Sequence, residues 1–353
     1  MKKRKKMKIA LLADLHIGVK KSDQTFQASQ LKFFKEQFVP ELLDEGIDTV
    51  VVCGDVYDTR QSINVHTENV VLDLFKNTFK DLNVHVIVGN HDIYHTTTTE
   101  VNSLKSLDLL PNVTVYEKPT EVELGGVKTL MLPWITKYED FDEIVLNEYD
   151  YAFAHLDVIG FNMGSRQMAT NGLDVNKVIK KIKHTFTGHY HTRSTKMFDE
   201  EHEVTYIGSP YQITRADRGE QRGYMILDLD NAEFEWKNNT KSMLFTKYVY
   251  PVIDRTKIAG NQVDIEIPYS MQNETKKIYD LVNELNALGP AYPVNTYYGD
   301  PPNTDDNITI DVDQFNLISL FQSYIEQIET NLDKKELYDE LIKLYDTFKG
   351  ANS

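Results

Sequence analysis

The sequence predicts a layered α/β domain, a mixed sheet sandwich flanked by helices, followed by a small α+β unit and a helical tail. Three observations carry this expectation. Between Ile9 and Val88, short β-branched runs alternate with stretches of helical spacing. From Val113 onward, strand-like runs follow one another with turn residues between them. A Pro/Asp/Asn-rich break at 299–307 then separates everything before it from two amphipathic helical patterns.

The elements follow in order. Residues 1–7 read as a basic, solvated N-terminal extension, because the apolar run behind them meets Asp14 too soon for a signal peptide. Ile9–Ala13, Thr49–Cys53 and Val84–Val88 read as strands, with Gln24–Asp44 and Val65–Lys80 as the helices between them. Val113–Tyr116, Thr120–Leu124 and Val127–Leu132 are further strands, and the Gly125-Gly126 pair is a hairpin turn. Tyr151–His155 and His184–Thr187 end in histidine-bearing loops. Val204–Ile207, Tyr224–Leu229 and Glu233–Trp236 complete a large domain over 8–245. The composition shifts near Tyr248. Val263–Ile267 and an amphipathic Ser270–Leu288 helix form a small unit over 246–298, followed by the 299–307 linker. The last segment, 308–353, carries Ile308–Val312 and two helical stripes, one through Leu317, Leu320, Phe321, Tyr324, Ile325 and Ile328, the other through Leu337, Leu341, Leu344, Tyr345 and Phe348.

Composition narrows the function. The 353 residues are 41% hydrophobic and 11% aromatic, enough for a packed core rather than disorder. The single cysteine, Cys53, sits in an apolar run and reads as a buried core thiol; with no disulfide to form, a cytoplasmic location is expected. No apolar run approaches the ~18–20 residues that span a bilayer, so no membrane association is expected. The net charge of −16 argues against a general nucleic-acid binder. A nucleic-acid enzyme needs only a local cluster of cations.

Five short motifs end predicted strands: Asp14-Leu-His16, Gly54-Asp55, Gly89-Asn90-His91-Asp92, His155 and Gly188-His189-Tyr-His191. Strand ends of an α/β domain share an edge, so these residues can converge. In the Asp14/His16 and His189/His191 pairs, residues two apart in an extended segment point the same way. Asp55, behind a glycine, is placed to bridge two cations that would otherwise repel each other. Gly54, Gly89 and Gly188 allow the tight turns that aim the side chains. The mix of carboxylates, one carboxamide and imidazoles suits Mn²⁺, Fe²⁺ or Zn²⁺ better than Mg²⁺ or Ca²⁺. His66, His85, His95, His184 and His202 lack such context and read as surface or packing residues.

This set resembles the calcineurin-like metallophosphoesterase superfamily. Within it, Leu12-Ala-Asp14-Leu-His16-Ile-Gly18, Gly54-Asp55-Val-Tyr-Asp58 and Tyr206-Ile-Gly208-Ser209-Pro210 are similar to SbcD-type nuclease subunits, including those of tailed phages. The resemblance implies a metallophosphoesterase β-sandwich flanked by helices and two divalent cations per subunit. Mn²⁺ is expected, with Mg²⁺, Fe²⁺ or Zn²⁺ as alternatives. It places Asp14, His16, Asp55 and His191 on one cation, and Asp55, Asn90, His155 and His189 on the other. His91 becomes the acid that assists the leaving oxygen, and Asp92 the carboxylate that orients it. Some relatives carry histidine where this chain has Asp58.

The resemblance further implies a duplex 3′–5′ exonuclease and a single-strand or hairpin endonuclease acting in DNA end processing, recombination, repair and replication. Residues 246–298 would cap the DNA, and 308–353 would dock on the coiled coil of an SbcC-type ATPase. A homodimer within a heterotetramer, in the host cytoplasm for a phage protein, follows from the same source. Lys20, Lys21, Arg60, Arg193, Arg215, Arg218 and Arg222 flank the motifs and are expected to guide DNA. Two rivals stand beside this: a phosphatase of the same superfamily acting on a nucleotide or phosphoprotein, and a non-catalytic adaptor.

Overall fold

Ala10 and Leu12 pack on one side of their strand, and Ile9 and Leu11 on the other, with all four fully buried. A strand buried on both faces sits between layers, and the layers follow from it. The computed structural model describes residues 7–163, 168–300, 325, 333–335 and 337–340. Its strands are β1 (Lys8–Leu12), β2 (Thr49–Cys53), β3 (Asn83–Ile87), β4 (Val113–Tyr116), β5 (Thr120–Leu124), β6 (Val127–Leu132), β7 (Tyr149–His155), β8 (Ile182–Gly188), β9 (Ser194–Met197), β10 (Glu203–Tyr206), β11 (Gly223–Asp228), β12 (Phe234–Asn238), β13 (Phe245–Val249), β14 (Gln262–Ile267) and β15 (Asn295–Tyr298).

Two six-stranded sheets result, in the orders β12-β11-β1-β2-β3-β4 and β5-β6-β7-β8-β10-β9. Strands β1 to β4 run parallel, as do β6, β7, β8 and β10. Ile9, Leu11, Val51, Cys53, Phe153 and Phe186 belong to the core between the sheets. Outside the first sheet lie the helix Gln24–Phe33, which continues through a π turn into Val39–Glu45, and the helix Val65–Asp73 with its own π turn. Phe33, Phe34, Phe38 and Phe75 fill that layer. Gly125 and Gly126 have φ of 56° and 80°, the left-handed pair that a two-residue hairpin requires.

Three strands were not expected. β9 is polar and largely exposed, an edge strand with no apolar alternation to betray it. β13 and β15 flank β14 in a third, parallel sheet. The helix against that sheet runs Thr275–Ala287, shorter than expected, because a 3-10 turn takes up Tyr269–Met271. Val263, Ile265, Leu281 and Leu285 form a separate small core there. One compact unit closes at Gly299. The expected N-terminal extension (apart from Met7), most of the 299–307 linker and most of the 308–353 segment lie outside the described residues.

Candidate metal centre

Each ligand candidate lies at or just beyond the C-terminal end of a strand: Asp14 and His16 after β1, Asp55 after β2, Asn90 after β3, His155 at the end of β7, His189 and His191 after β8. Parallel strands bring such ends to one rim. The two rims are joined by His155, whose Nδ1–H donates to the Cys53 carbonyl at 2.8 Å.

The extended-pair geometry expected for the Asp14/His16 and His189/His191 motifs is not what aims them. Asp14, His16, Asp55 and His189 have φ of 54°, 41°, 54° and 97°, the left-handed region. That backbone costs about 1–3 kcal/mol per side-chain-bearing residue and persists only where its surroundings over-determine it. Here the Asp14, His16 and Ile17 N–H groups donate to the Gly54, Asp55 and Val56 carbonyls at 3.1, 3.0 and 2.9 Å, zipping the first two motifs together. His189 N–H donates to Asp14 Oδ1 at 2.8 Å. Turns, not the strand pleat, bring the side chains together. Gly54 shares the left-handed region (φ 83°), and a Cβ there would collide with the His155 ring. Gly89 and Gly188 lie outside that region; they are needed because a Cβ at either would collide, with Asp55 at Gly89 and with the Cys53 carbonyl at Gly188.

Donor atoms of Asp14, His16 and His191 lie within 4.8 Å of one another, as do those of Asp55, His155 and His189, and of His16, Asp55 and His91. Asn90 Oδ1 sits 2.9 Å from His155 Nε2 and 3.0 Å from His189 Nδ1. His155 gives its Nδ1–H to Cys53, so its Nε2 faces the lone pairs of Asn90 Oδ1 and of Asp55 Oδ2, 3.4 Å away, and only a proton or a cation on that nitrogen reconciles them. His16 Nε2 and His191 Nε2 face each other at 3.0 Å. Asp14 Oδ2 and His16 Nδ1 are buried without a hydrogen-bond partner. Lone pairs that converge in a buried site need a proton or a cation between them, so these residues fit a bound metal pair.

The electrostatics agree. Burial pushes Asp14 up to about 6. Burial alone would raise Asp55 too, but His155, His16 and His91 hold it well below the usual carboxylate range. Burial, reinforced by the neighbouring His155 and His16, holds His189 down to about 4 and His191 down to about 3, so both offer lone pairs at neutral pH. His155 goes the other way: burial lowers it, yet Asp55 and Asp14 outweigh burial and raise it to about 9.

Asp92 does not do what was expected of it. Its carboxylate accepts four backbone N–H groups: Gly89 and Asp55 at 2.9 Å each, Val56 at 3.1 Å and Tyr57 at 3.2 Å. It ties the second motif to the third. His91 is oriented instead by Asp58, whose backbone carbonyl accepts from Nδ1 at 2.6 Å. The Asp58 carboxylate lies 3.5 Å from His16 Nδ1.

The expectation for the basic residues narrows for a similar reason: most find partners inside the chain. Arg215 Nε donates to Asp264 at 2.8 Å, and Arg218 pairs with the same carboxylate, tying the loop after the last motif to β14. Arg222 is buried against Asp217 and Glu220. Arg193 stacks on Trp236 and donates to Asn238. Lys20 lies over the rings of Phe26, Phe245 and Tyr292 and donates to Gln262 at 2.9 Å. Lys21 and Arg60 remain exposed. His85, His184 and His202 bond to Tyr116, Glu203 and Asp199, away from the centre. Sequence reasoning missed Trp134, whose ring centroid lies 5.1 Å from that of His189. Its one signal was an aromatic residue closing an apolar strand, behind Pro133.

Hard oxygens and imidazoles gathered on adjoining sheet rims suit a metal-dependent hydrolase, the class that this fold and centre define. Residues 7–193 match the calcineurin-like phosphoesterase model, and the chain belongs to that family, whose members bind a dinuclear metal site. Over 349 residues it is 28% identical to Exonuclease subunit 1 of Enterobacteria phage T4, covering 96% of this chain and 98% of that one. It is 25% identical to the SbcD component of Nuclease SbcCD from Staphylococcus epidermidis, covering 64% and 67% of the two chains. A Putative phosphoesterase 078R of Invertebrate iridescent virus 3 is 24% identical over 40% of this chain and 45% of its own. Among the described residues, no helix is long and apolar enough to cross a membrane.

Manganese at about a hundredfold excess over its Kd is expected to stabilise the fold by ~2.7 kcal/mol for each cation bound, a rise in Tm of roughly 4 °C per cation. The gain should grow with pH. Asp14 and His155 have folded-state values above their ordinary ones, so their protonated forms stabilise the metal-free fold at low pH. That contribution is lost as pH rises from about 4 to 6 for Asp14 and from about 6.5 to 9 for His155. A cation takes the place of those protons. Thermal melts with manganese and with EDTA, at acidic and alkaline pH, check this; a larger gain at acidic pH would contradict it.

Proposed function

We propose that this chain is the nuclease subunit of an SbcD-type complex, a metal-dependent DNA phosphodiesterase. In this reading it degrades duplex ends 3′ to 5′ and cuts single-stranded or hairpin DNA during end processing, recombination, repair and replication. The observation that carries the reading is the convergence of lone-pair donors from five motifs on the joined rims of two sheets. DNA as the substrate is supported by the phage T4 relative, which is named an exonuclease subunit and matched along nearly all of both chains.

Asp14, His16, Asp55 and His191 would hold one cation, and Asp55, Asn90, His155 and His189 the other, with manganese the expected metal. When bound, such a pair offsets the charge of a phosphodiester and supplies a nucleophile near neutral pH. The residues of the chain do the rest. The zipped left-handed turns hold the donors in place before substrate arrives, so little reorganisation accompanies the reaction. His91, fixed through Nδ1 by the Asp58 carbonyl, offers in its imidazolium form an Nε2 proton to the leaving 3′ or 5′ oxygen. His91→Ala is expected to lower kcat by about 10²–10⁴ with cation stoichiometry unchanged, read by steady-state kinetics and metal analysis. Loss of a cation would make His91 a ligand instead.

An SbcC-type ATPase is the proposed partner, docking on 308–353, with two copies of this chain in the assembly. Lys21 and Arg60, exposed beside the first two motifs, are the proposed guides for DNA. The deciding experiment is a manganese-supplemented assay on end-labelled linear duplex and hairpin DNA, with and without the ATPase, run beside p-nitrophenyl phosphate. Release of nucleotides carries the reading. Hydrolysis of the dye alone would turn it to a phosphatase.

A further inference from the structure

We infer that Trp134 stacks on the base of the nucleotide next to the scissile phosphate, in a small cleft beside the metal centre; this rests on the DNA-nuclease reading above. Trp134 follows β6, and its backbone N–H donates to the Val88 carbonyl at 2.9 Å, which pins it beside the loop that carries Asn90. Its ring centroid is 5.1 Å from that of His189 and 6.0 Å from that of His155. The residue packs against the core outside the first sheet yet is only partly buried, so part of its surface stays open. It also borders a cleft of about 210 Å³ whose walls include Thr97, Thr98, Thr99 and Thr136. One residue therefore touches the rings proposed to hold a cation and bounds the space next to them.

The chemistry of the cleft selects its occupant. Pockets that enclose drug-sized molecules begin near ~300 Å³, so this one suits a single planar ring system rather than a whole nucleotide. Its charged residues are paired, Lys118 with Glu100 at 3.1 Å and Glu117 with Lys105, so they offer no free cation to a phosphate. What remains is an apolar surface, Trp134 with Pro119, Pro133, Ile135 and Ile144, and the neutral threonine hydroxyls. A nucleobase matches both, through its π face and its polar edge. Stacking on an aromatic side chain is sequence-tolerant and worth about 1–3 kcal/mol per base.

The test separates base recognition from mere support of the histidines. Wild type, Trp134→Phe and Trp134→Leu are compared on a linear oligonucleotide, on the same oligonucleotide with abasic terminal residues, and on methyl p-nitrophenyl phosphate, which has no base. Trp134→Leu is expected to raise KM for the intact oligonucleotide by roughly 5- to 100-fold, with less than about a twofold change on the other two. Trp134→Phe is expected to retain most of the affinity. The chain has two tryptophans, so Trp236→Phe leaves Trp134 as the sole tryptophan, whose emission is excited selectively at wavelengths the tyrosines do not absorb. In manganese-loaded protein, thymidine 5′-monophosphate should quench it and deoxyribose 5-phosphate should not. Equal losses on base-containing and base-free substrates, or equal quenching by the two ligands, would make Trp134 a packing residue and overturn the inference. Wild type that cleaves methyl p-nitrophenyl phosphate but no DNA would sink the nuclease reading itself, and the inference with it.

Discussion

Asp55→Asn is expected to lower phosphodiesterase kcat by about 10³ or more and to leave the protein unable to hold two cations at once. The asparagine oxygen can still accept the His91 N–H that Asp55 Oδ1 receives at 2.8 Å, so the local backbone is preserved. What disappears is the charge. Asp55 Oδ2 lies 3.4 Å from His155 Nε2 and 3.6 Å from His16 Nε2, between the donor groups proposed for the two ions. It is also the carboxylate held most firmly ionised, because the three histidines around it outweigh its burial. Without it, two cations a few ångströms apart repel across a neutral side chain. Metal-pair stabilisation is worth several kcal/mol, and each ~1.4 kcal/mol is tenfold in rate. Titration calorimetry with manganese and steady-state rates read the two halves of the expectation. Two cations bound with an unaltered kcat would move the chemistry elsewhere.

Asp92→Ala is expected to cost about 4 kcal/mol of stability or more and to lower Tm by roughly 5 °C or more. Four backbone N–H groups converge on this fully buried carboxylate. A buried donor left without an acceptor costs about 1–3 kcal/mol, and water entering the gap would recover part of the sum. Asp92→Asn should fall between, since a single amide oxygen cannot serve all four. The contrast with the role expected from sequence is direct. A carboxylate that oriented His91 would, when removed, lower kcat at unchanged Tm, whereas a clamp between two loops loses Tm first. Denaturation followed alongside kcat separates them, and a stable but slow Asp92→Ala would restore the original role.

Much of this molecule was legible in its residues. Runs such as Thr49–Cys53, β-branched at four of five positions and buried at all five, can be little other than inner strands. Gly125-Gly126 marks its own turn. The five motifs announced themselves because polar residues of metal-binding type stood where each apolar run stopped. Less visible was whatever depended on a neighbour distant in the chain. β9, β13 and β15 are short and partly exposed, and they become strands because β10 and β14 offer them edges. Arg215 and Arg218 read as free cations until Asp264 is beside them.

By itself the sequence determined which side chains are candidates for the chemistry and at which strand ends they stand, since those follow from composition and period along the chain. Tertiary structure alone decided how they are aimed. The left-handed turns at Asp14, His16, Asp55 and His189 cannot be read from local propensity, which disfavours them. They exist because the first motif's N–H groups meet the second motif's carbonyls and Asp92 gathers the loops behind it. A backbone strained at four places is stable only when parts of the chain far apart in sequence supply the hydrogen bonds that hold it.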